Sequence, residues 1–151
     1  MNNDNTPTVS YKDTPPDFSP CFVSECPKRA ECIRYAVGQT FPPGPRMGIC
    51  VFPQSLQDGE CSYFYPLRTI REAWGFDPLF YDVKARDETP LRQSIERYVG
   101  SRSAYFRYNH GIRTLTPEQQ DDILQLFAER GYDTSELHFA NYRETIDYHA
   151  D

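Results

Sequence analysis

The sequence has 151 residues, of which 38% are hydrophobic and 15% aromatic, and its formal net charge is −6. This length suits one domain, or one domain that carries a small metal-stapled lobe. The negative charge disfavours general affinity for nucleic acids. No apolar run approaches the roughly 20 residues of a membrane span, so we expect no membrane-spanning segment.

Composition divides the chain into three zones. Residues 1–20 are polar and rich in Pro, Asn, Thr and Asp, and they contain too few apolar side chains to offset the entropy of ordering, so we expect a flexible leader. Residues 21–66 contain all five cysteines and form the predicted cysteine-rich metal-binding lobe. Residues 67–151 contain no cysteine and form the predicted α+β unit, packed with that lobe.

The first predicted helix determines whether two of the cysteines can share a metal. Pro27, directly after Cys26, is typical of the first position of a helix. A continuous helix from Cys26 to Cys32 would separate their Cα atoms by about 9 Å along its axis and would place the side chains on different faces. Both can bind one metal only if residues 27–31 form a turn and the helix begins near Glu31.

Residues 67–151 carry clearer signals of regular structure. Thr116 and Gln119 have the spacing of a capping box, Pro117 suits the first helical position, and Gly131 marks the end of that helix. In chain order we predict a helix around Pro66–Trp74, a helix from Thr89-Pro90 to Gly100, a hairpin of Ser103–Tyr108 and Ile112–Leu115, the helix after Thr116, and a strand in residues 137–142. The predicted core residues are Trp74, Ile95, Tyr98, Phe106, Ile123 and Phe127. The predicted fold is therefore α+β, a small single domain with a loop-rich N-terminal lobe and a helix-hairpin-helix C-terminal unit.

Four of the five cysteines are the candidate metal ligands. The N-terminus lacks the apolar segment of a secretion signal, which favours a cytoplasmic protein with reduced thiols, where clustered cysteines indicate metal or redox chemistry. Cys61 follows a Gln-Asp-Gly-Glu turn that can bring a thiolate toward a metal. Cys50 has apolar neighbours, where a free cysteine behaves as a small hydrophobe. The predicted ligands are Cys21, Cys26, Cys32 and Cys61.

Three interpretations of these cysteines stay open at this stage. Four thiolates about 2.3 Å from Zn²⁺ form a closed structural site, which we favour. The same four cysteines can hold an iron–sulfur cluster, which would make the chain a redox or electron-transfer protein. The third interpretation is five reduced, buried cysteines without a metal.

A basic stretch supplies a candidate partner surface. Residues 84–113 are rich in Arg, whereas residues 115–151 are strongly acidic. Such an asymmetry can mark a partner surface, but it is more typical of two solvated faces of one small domain. In the predicted hairpin, Arg102, Tyr105 and Arg107 would be exposed and could stack bases while holding phosphates. Tyr and Phe are also favoured in strands for structural reasons. We therefore place a protein partner ahead of a nucleic acid on this surface.

Several segments also resemble a known family. In chain order they are CFVSECPKRAECIRY, CSYF, AWGF, AYFRYNHG, LTPEQQDDILQLFAERGYD and FANY. Together they resemble a family of small cysteine-containing proteins from the Bacteroidales that is a domain of unknown function. The resemblance covers most of residues 21–148. It implies that Cys21, Cys26, Cys32 and Cys61 match the family's cysteine pattern, and it implies no activity.

The sequence favours binding over catalysis. It contains no P-loop, no dinucleotide-binding glycine motif and no H-E-x-x-H motif. Nothing places one of the three histidines beside a cysteine, as a Cys–His nucleophile pair requires. The predicted function is a small cytoplasmic metal-binding protein, with structural zinc, that acts as an interaction module.

Overall fold

A computed structural model describes residues 7–45 and 47–150. Among these residues the α-helices are α1 (Ile33–Gly38), α2 (Ala85–Val99), α3 (Arg102–Asn109) and α4 (Pro117–Ala128). The strands are β1 (Leu56–Gln57), β2 (Glu60–Cys61), β3 (Thr69–Trp74) and β4 (Asn141–Ile146). They form two two-stranded sheets, in which β1 pairs with β2 and β3 with β4. The predicted α+β class is confirmed.

The chain divides into two compact units. The first, which we call the cysteine unit, comprises residues 1–69 and 145–151, and the second, the helical unit, comprises residues 70–144. This division follows contacts between residues, whereas the three zones predicted above follow composition, and those zones stay a prediction. In the part of the chain that the structure describes, no helix is long and apolar enough to cross a membrane.

The core of the cysteine unit joins segments that are distant in the sequence. Ile33 and Val37 of α1 are buried together with three residues near the end of the chain, Ile146, Tyr148 and Ala150. Of the predicted leader, residues 1–6 lie outside the described residues. Its later part contributes packing contacts, since Val9, Tyr11 and Phe18 lie against this core.

The helical unit has a larger apolar core. Its helix α2 packs against both α3 and α4. The side chains that are almost fully enclosed come from every part of the unit and include Phe76, Leu79, Leu91, Ile95, Leu115, Ile123, Phe127 and Phe139. None of the five cysteines belongs to this unit.

The best-predicted element is α4. The Thr116 hydroxyl accepts a hydrogen bond from the Gln119 amide, and the Gln119 side chain accepts one from the Thr116 amide, which completes the capping box. Pro117 occupies the first turn. Gly131 follows the helix with a φ of +88°, a conformation that suits glycine. These sequence signals lie within a few residues of the structure that they specify.

Two helix predictions need correction. The helix α2 ends at Gly100 as predicted, but it begins at Ala85, so that Pro90 lies inside it. Its first turn contains Asp87, which accepts a hydrogen bond from the Tyr132 hydroxyl at 2.6 Å and so holds this end of the helix. Residues 66–74 do not form a helix: β3 occupies most of this segment, because its backbone pairs with β4. The predicted strand at 137–142 begins later, at Asn141.

The predicted hairpin of residues 103–115 is wrong, because its first arm is the helix α3. The Ser101 hydroxyl caps this helix by accepting a hydrogen bond from the Ala104 amide at 3.0 Å. The helical period turns Tyr105 into the core, where its ring stacks on Phe76 with centroids 4.7 Å apart. Phe106, a predicted core residue, is therefore 43% exposed.

Of the other predicted core residues, some are buried and others are at least partly exposed. Ile95, Ile123 and Phe127 are buried, as predicted. Trp74 is half-buried, and Tyr98 is exposed. The Tyr98 hydroxyl donates a hydrogen bond to Asp122 at 2.7 Å, so its polar end faces a surface carboxylate.

The carboxylate of Asp147 should make the stability of the cysteine unit depend on acid pH. It is buried and accepts hydrogen bonds from the Tyr65 hydroxyl at 3.0 Å, Arg68 Nε at 2.9 Å and the His149 amide at 3.1 Å. Burial alone would raise the pKa of this carboxyl, but the hydrogen bonds outweigh burial and lower the pKa below its usual value. The stabilisation is therefore present above the unfolded pKa of about 3.9 and is lost as the pH falls through the folded pKa.

We expect Asp147→Asn to lower the free energy of unfolding at pH 7 by about 1–3 kcal/mol, as for a weakened buried hydrogen-bond network. Urea unfolding at several pH values measures this difference. The difference between wild type and variant should narrow below pH about 4. A constant difference down to pH about 2 would show that the charge of Asp147 is not the cause.

Candidate functional site

The four predicted ligands line one small cavity in the cysteine unit. Its volume is about 20 Å³, and it is lined by Cys21, Cys26, Cys32, Cys61, Arg29, Arg34, Tyr35, Val51, Tyr63 and Phe64. The four cysteines span 40 positions of the sequence, and the fold brings them to a single place. Three of them are half-buried, and Cys32 is buried.

Cys21 is held by backbone hydrogen bonds on both sides. Its amide donates to the Arg34 carbonyl of α1 at 2.9 Å, and its segment bridges to Val51. The Val23 amide points at the Cys21 sulfur, with a distance of 3.5 Å between nitrogen and sulfur. An amide directed at sulfur stabilises the thiolate form.

Cys26 and Cys32 are brought together by a tight turn. Residues Arg29–Glu31 form a single 3-10 turn, and α1 begins only at Ile33. The Arg29 amide donates to the Cys26 carbonyl at 3.2 Å, and the Cys32 amide donates to the Arg29 carbonyl at 3.4 Å. The structure thus meets the condition derived from the sequence, since a turn replaces the continuous helix that would have separated the two side chains.

Cys61 lies at the end of a β-hairpin that has a two-residue turn, and it lines the cavity. Asp58 and Gly59 both have positive φ, +52° and +78°, as the turn between β1 and β2 requires. Cys61 lies on β2 opposite Leu56. Its sulfur lies 3.6 Å from the Ser55 hydroxyl oxygen. The Gln-Asp-Gly-Glu segment identified in the sequence is this hairpin turn.

Cys50 lies away from the other four. It lines two other cavities of the cysteine unit and does not line the one that they share. It is half-buried rather than enclosed. Whether Cys50 is excluded from a metal site stays a prediction.

The electrostatics of the cavity reflect its crowded thiols. Burial raises the pKa of the Cys21 thiol, and the nearby Cys32, Cys61 and Cys26 raise it further, while the Val23 amide opposes them. Two arginines, Arg29 and Arg34, also line the cavity. Within residues 7–45 and 47–150, no group of three or more His, Cys, Asp or Glu side chains is arranged so that it could hold a metal ion as it stands. The fold gathers the thiols without completing a coordination shell.

The predicted partner surface is not a single surface. Arg102, Tyr105 and Arg107 all lie on α3, but Tyr105 is only 5% exposed, and burial raises its pKa to about 12. Arg102 lies over the ring of Phe106, with 5.8 Å from its guanidinium carbon to the ring centroid. These three side chains were expected to be exposed together because the segment was predicted to be a strand. On a helix the three side chains point in different directions.

Arg34 is the residue of this region that the sequence did not single out. It is 7% exposed, and its guanidinium donates to the backbone carbonyls of Ser19 and Tyr63, both at 2.9 Å, and of Ala150. An arginine beside Ile33 in a six-residue helix carries no pattern that would distinguish it from a surface residue. Only the fold shows that it is enclosed.

Gly38 fixes how closely α1 approaches Cys21. A Cβ atom added at this glycine would lie 2.1 Å from the Cys21 carbonyl oxygen, which is backbone and cannot turn aside. We expect Gly38→Ala to lower the free energy of unfolding by about 1–3 kcal/mol and to displace Cys21. Gly48→Ala is the matched control, because nothing lies within 4 Å of its added Cβ. Urea unfolding of both variants checks this prediction, and equal stability would contradict the close contact.

Comparison with known families finds a match. The chain matches a family of unknown function (DUF6078) over residues 1–148. Comparison with curated proteins and with solved structures finds no match. Since the match extends over nearly the whole sequence, the chain belongs to this family of unknown function.

Proposed function

We propose that this chain is a small cytoplasmic metal-binding protein in which Cys21, Cys26, Cys32 and Cys61 hold one Zn²⁺ and stabilise an interaction module. The observation that carries the proposal is that these four cysteines line one cavity while Cys50 does not. Four thiolates satisfy the tetrahedral preference of Zn²⁺ and leave no open position for a substrate. A closed site of this kind favours a structural role over a catalytic one. The origin in the Bacteroidales that the resemblance implies belongs to the same proposal.

Binding would relieve the mutual repulsion of the thiolates. Each of Cys26, Cys32 and Cys61 raises the pKa of Cys21, which means that thiolates in this cavity oppose one another. A bound dication reverses this effect, and metal binding releases the thiol protons. Four thiolates and one Zn²⁺ leave a charge of −2, which Arg29 and Arg34 at the cavity would partly offset. The side chains would still have to turn inward to reach Zn–S distances of about 2.3 Å.

The size of the cavity favours a single ion over a cluster. About 20 Å³ leaves room for one ion between thiolates. A four-iron cluster also accepts four cysteines, but its irons and sulfides need more room than a single ion. The iron–sulfur redox protein is therefore the second candidate, on the same residues.

Exposed apolar side chains support the interaction role. In the cysteine unit, Phe22, Met47 and Ile49 are exposed, Met47 by 95% of its surface, and all three line a groove of about 500 Å³. Contiguous exposed apolar surface is typical of protein interaction sites. A protein partner therefore fits better than a nucleic acid, which the net charge of −6 disfavours.

Elemental analysis of protein purified without added metal and without oxygen tests the proposal. A colourless protein with about one zinc per chain is expected. A brown protein with absorption near about 400 nm and several irons per chain would support the cluster instead. Absence of both metals, together with no uptake of added Zn²⁺, would contradict both candidates and leave five reduced cysteines.

A further inference from the structure

The cysteine unit contains a second, much larger cavity, which shares Arg34, Tyr63 and Phe64 with the lining of the thiol cavity but contains none of the four proposed ligands. It is an open cleft of about 850 Å³, within the usual range for small-molecule sites. One wall is aromatic, with Phe52, Tyr63, Phe64 and Tyr65. The polar groups are the hydroxyls of Ser19, Ser55 and Ser62, the amide of Gln54, the carboxylate of Asp17 and the guanidinium of Arg34. An aromatic wall with a few polar groups is typical of a binding site for an organic ligand.

Arg34 is the one of these groups whose charge has no carboxylate partner among the described residues. It is more than nine-tenths buried, and its three hydrogen bonds all go to neutral backbone carbonyls. No carboxylate in residues 7–45 and 47–150 lies within 4.0 Å of its guanidinium. The rings of Phe18 and Tyr63, centred 5.5 Å and 6.0 Å from its guanidinium carbon, compensate only part of a buried charge.

The three carbonyls also fix the guanidinium in place. They come from Ser19, Tyr63 and Ala150, three separate segments of the unit, so the side chain is held without a charged partner. Each bond uses a different nitrogen, which leaves one N–H on each terminal nitrogen without a partner among the described residues. A rigid guanidinium with free donors is suited to a carboxylate, which it can bind through two parallel hydrogen bonds.

We propose that this cleft binds a small organic acid, with its carboxylate on Arg34 and its flat apolar body against Phe52 and Phe64. The hydroxyls of Ser19 and Ser62 are available for further polar groups of the ligand. Asp17, at the exposed edge, repels a second negative charge and so favours a monoacid. The proposal goes beyond the metal site, and it is linked to that site only through Arg34, which lines both cavities.

The test uses sodium benzoate as the probe on the full-length, metal-loaded protein, followed by ¹H–¹⁵N NMR. Metal-loaded protein is used because Arg34 also lines the thiol cavity, where a metal–thiolate site would share its charge. Benzoate should shift the Arg34 Nε–H signal and the amide signals of Tyr63 and Phe64. Benzamide, which has the same shape without the charge, should bind at least about tenfold more weakly.

Two variants and one control locate the binding. Arg34→Lys should abolish binding of benzoate, but this substitution also removes structural hydrogen bonds. Phe52→Ala changes an exposed side chain and should weaken binding by about threefold to tenfold without unfolding the protein. Tyr81→Ala, an exposed aromatic residue of the helical unit, is the control and should bind benzoate like the wild type.

Three outcomes would overturn the proposal. The first is that benzoate and benzamide bind with equal affinity. The second is that the Phe52→Ala variant binds benzoate as tightly as the wild type. The third is that benzoate causes no shift of the Arg34 signal in folded, metal-loaded protein. The last result would leave Arg34 with a structural role, through its hydrogen bonds to three backbone carbonyls. That third outcome includes the case in which inorganic phosphate binds at Arg34 and benzoate does not. Charge-selective binding of benzoate that depends on Phe52 supports it.

Discussion

Cys61→Ser should lose its metal, whereas Cys50→Ser should keep the wild-type amount. Cys61 lines the cavity shared with the three N-terminal ligands, and serine replaces its thiolate with a hydroxyl that is a poor zinc ligand. Loss of an outer-shell partner already lowers metal affinity by about 10–100-fold. Loss of a direct ligand should exceed this, so that dialysis against a mild chelator empties Cys61→Ser. Elemental analysis after dialysis measures the difference.

The two cysteines are well matched for this comparison. Both are half-buried, both belong to the cysteine unit, and both changes replace sulfur with oxygen at the same position of the side chain. Cys50 lines other cavities and not the shared one. Equal metal loss in the two variants, or retention in both, would reject the assignment of Cys21, Cys26, Cys32 and Cys61.

Removal of the metal should loosen residues 21–66 and leave the helices of the helical unit protected from hydrogen exchange. Structural zinc supplies apparent free energies of order 10 kcal/mol in small domains, comparable with the whole stability of such a unit. All five cysteines lie in the cysteine unit, while the helical unit has its own buried core around Phe76, Ile95 and Phe127. Chelation should therefore act on one unit.

Hydrogen exchange followed by mass spectrometry, with and without chelator, measures this effect. Peptides that contain α1 should exchange much faster after chelation, and peptides from α2 and α4 should not change. Cys61→Ser provides a control without chelator and should show the same pattern. Loss of protection throughout the chain would show that the metal is integral to a single core, and no change in α1 would show that the metal does not stabilise it.

The elements predicted correctly are those whose signals are local. The capping box of Thr116 and Gln119 lies within one turn, so the sequence contains all of its partners. The hairpin turn before Cys61 depends on Asp58 and Gly59, which tolerate positive φ. In each case the determining contacts are close in the sequence.

The helix α3 shows why other elements could not be predicted. Its Tyr and Phe residues favour strands, and Asn-His-Gly is typical of a hairpin turn. The helical conformation of this segment depends on the stacking of Tyr105 on Phe76, 29 positions earlier in the chain, and on the cap of Ser101. The Asn109 side chain then accepts a hydrogen bond from the Phe76 amide at 2.8 Å. Only the Ser101 cap could have been noticed in the sequence.

The large cleft could not be predicted for a similar reason. The three carbonyls around Arg34 belong to Ser19, Tyr63 and Ala150, which are separated by up to 116 positions from it in the chain. Any residue type supplies a carbonyl, so no pattern of side chains marks these partners. The burial of Arg34 follows from tertiary packing alone.

Zinc K-edge X-ray absorption of the metal-loaded protein tests the central claim most directly. The proposed site places one zinc among the sulfurs of Cys21, Cys26, Cys32 and Cys61. The spectrum should therefore show four sulfur scatterers at about 2.3 Å and no nitrogen or oxygen in the first shell. Fewer than four sulfurs, or a first shell of nitrogen and oxygen, would contradict the four-cysteine zinc site.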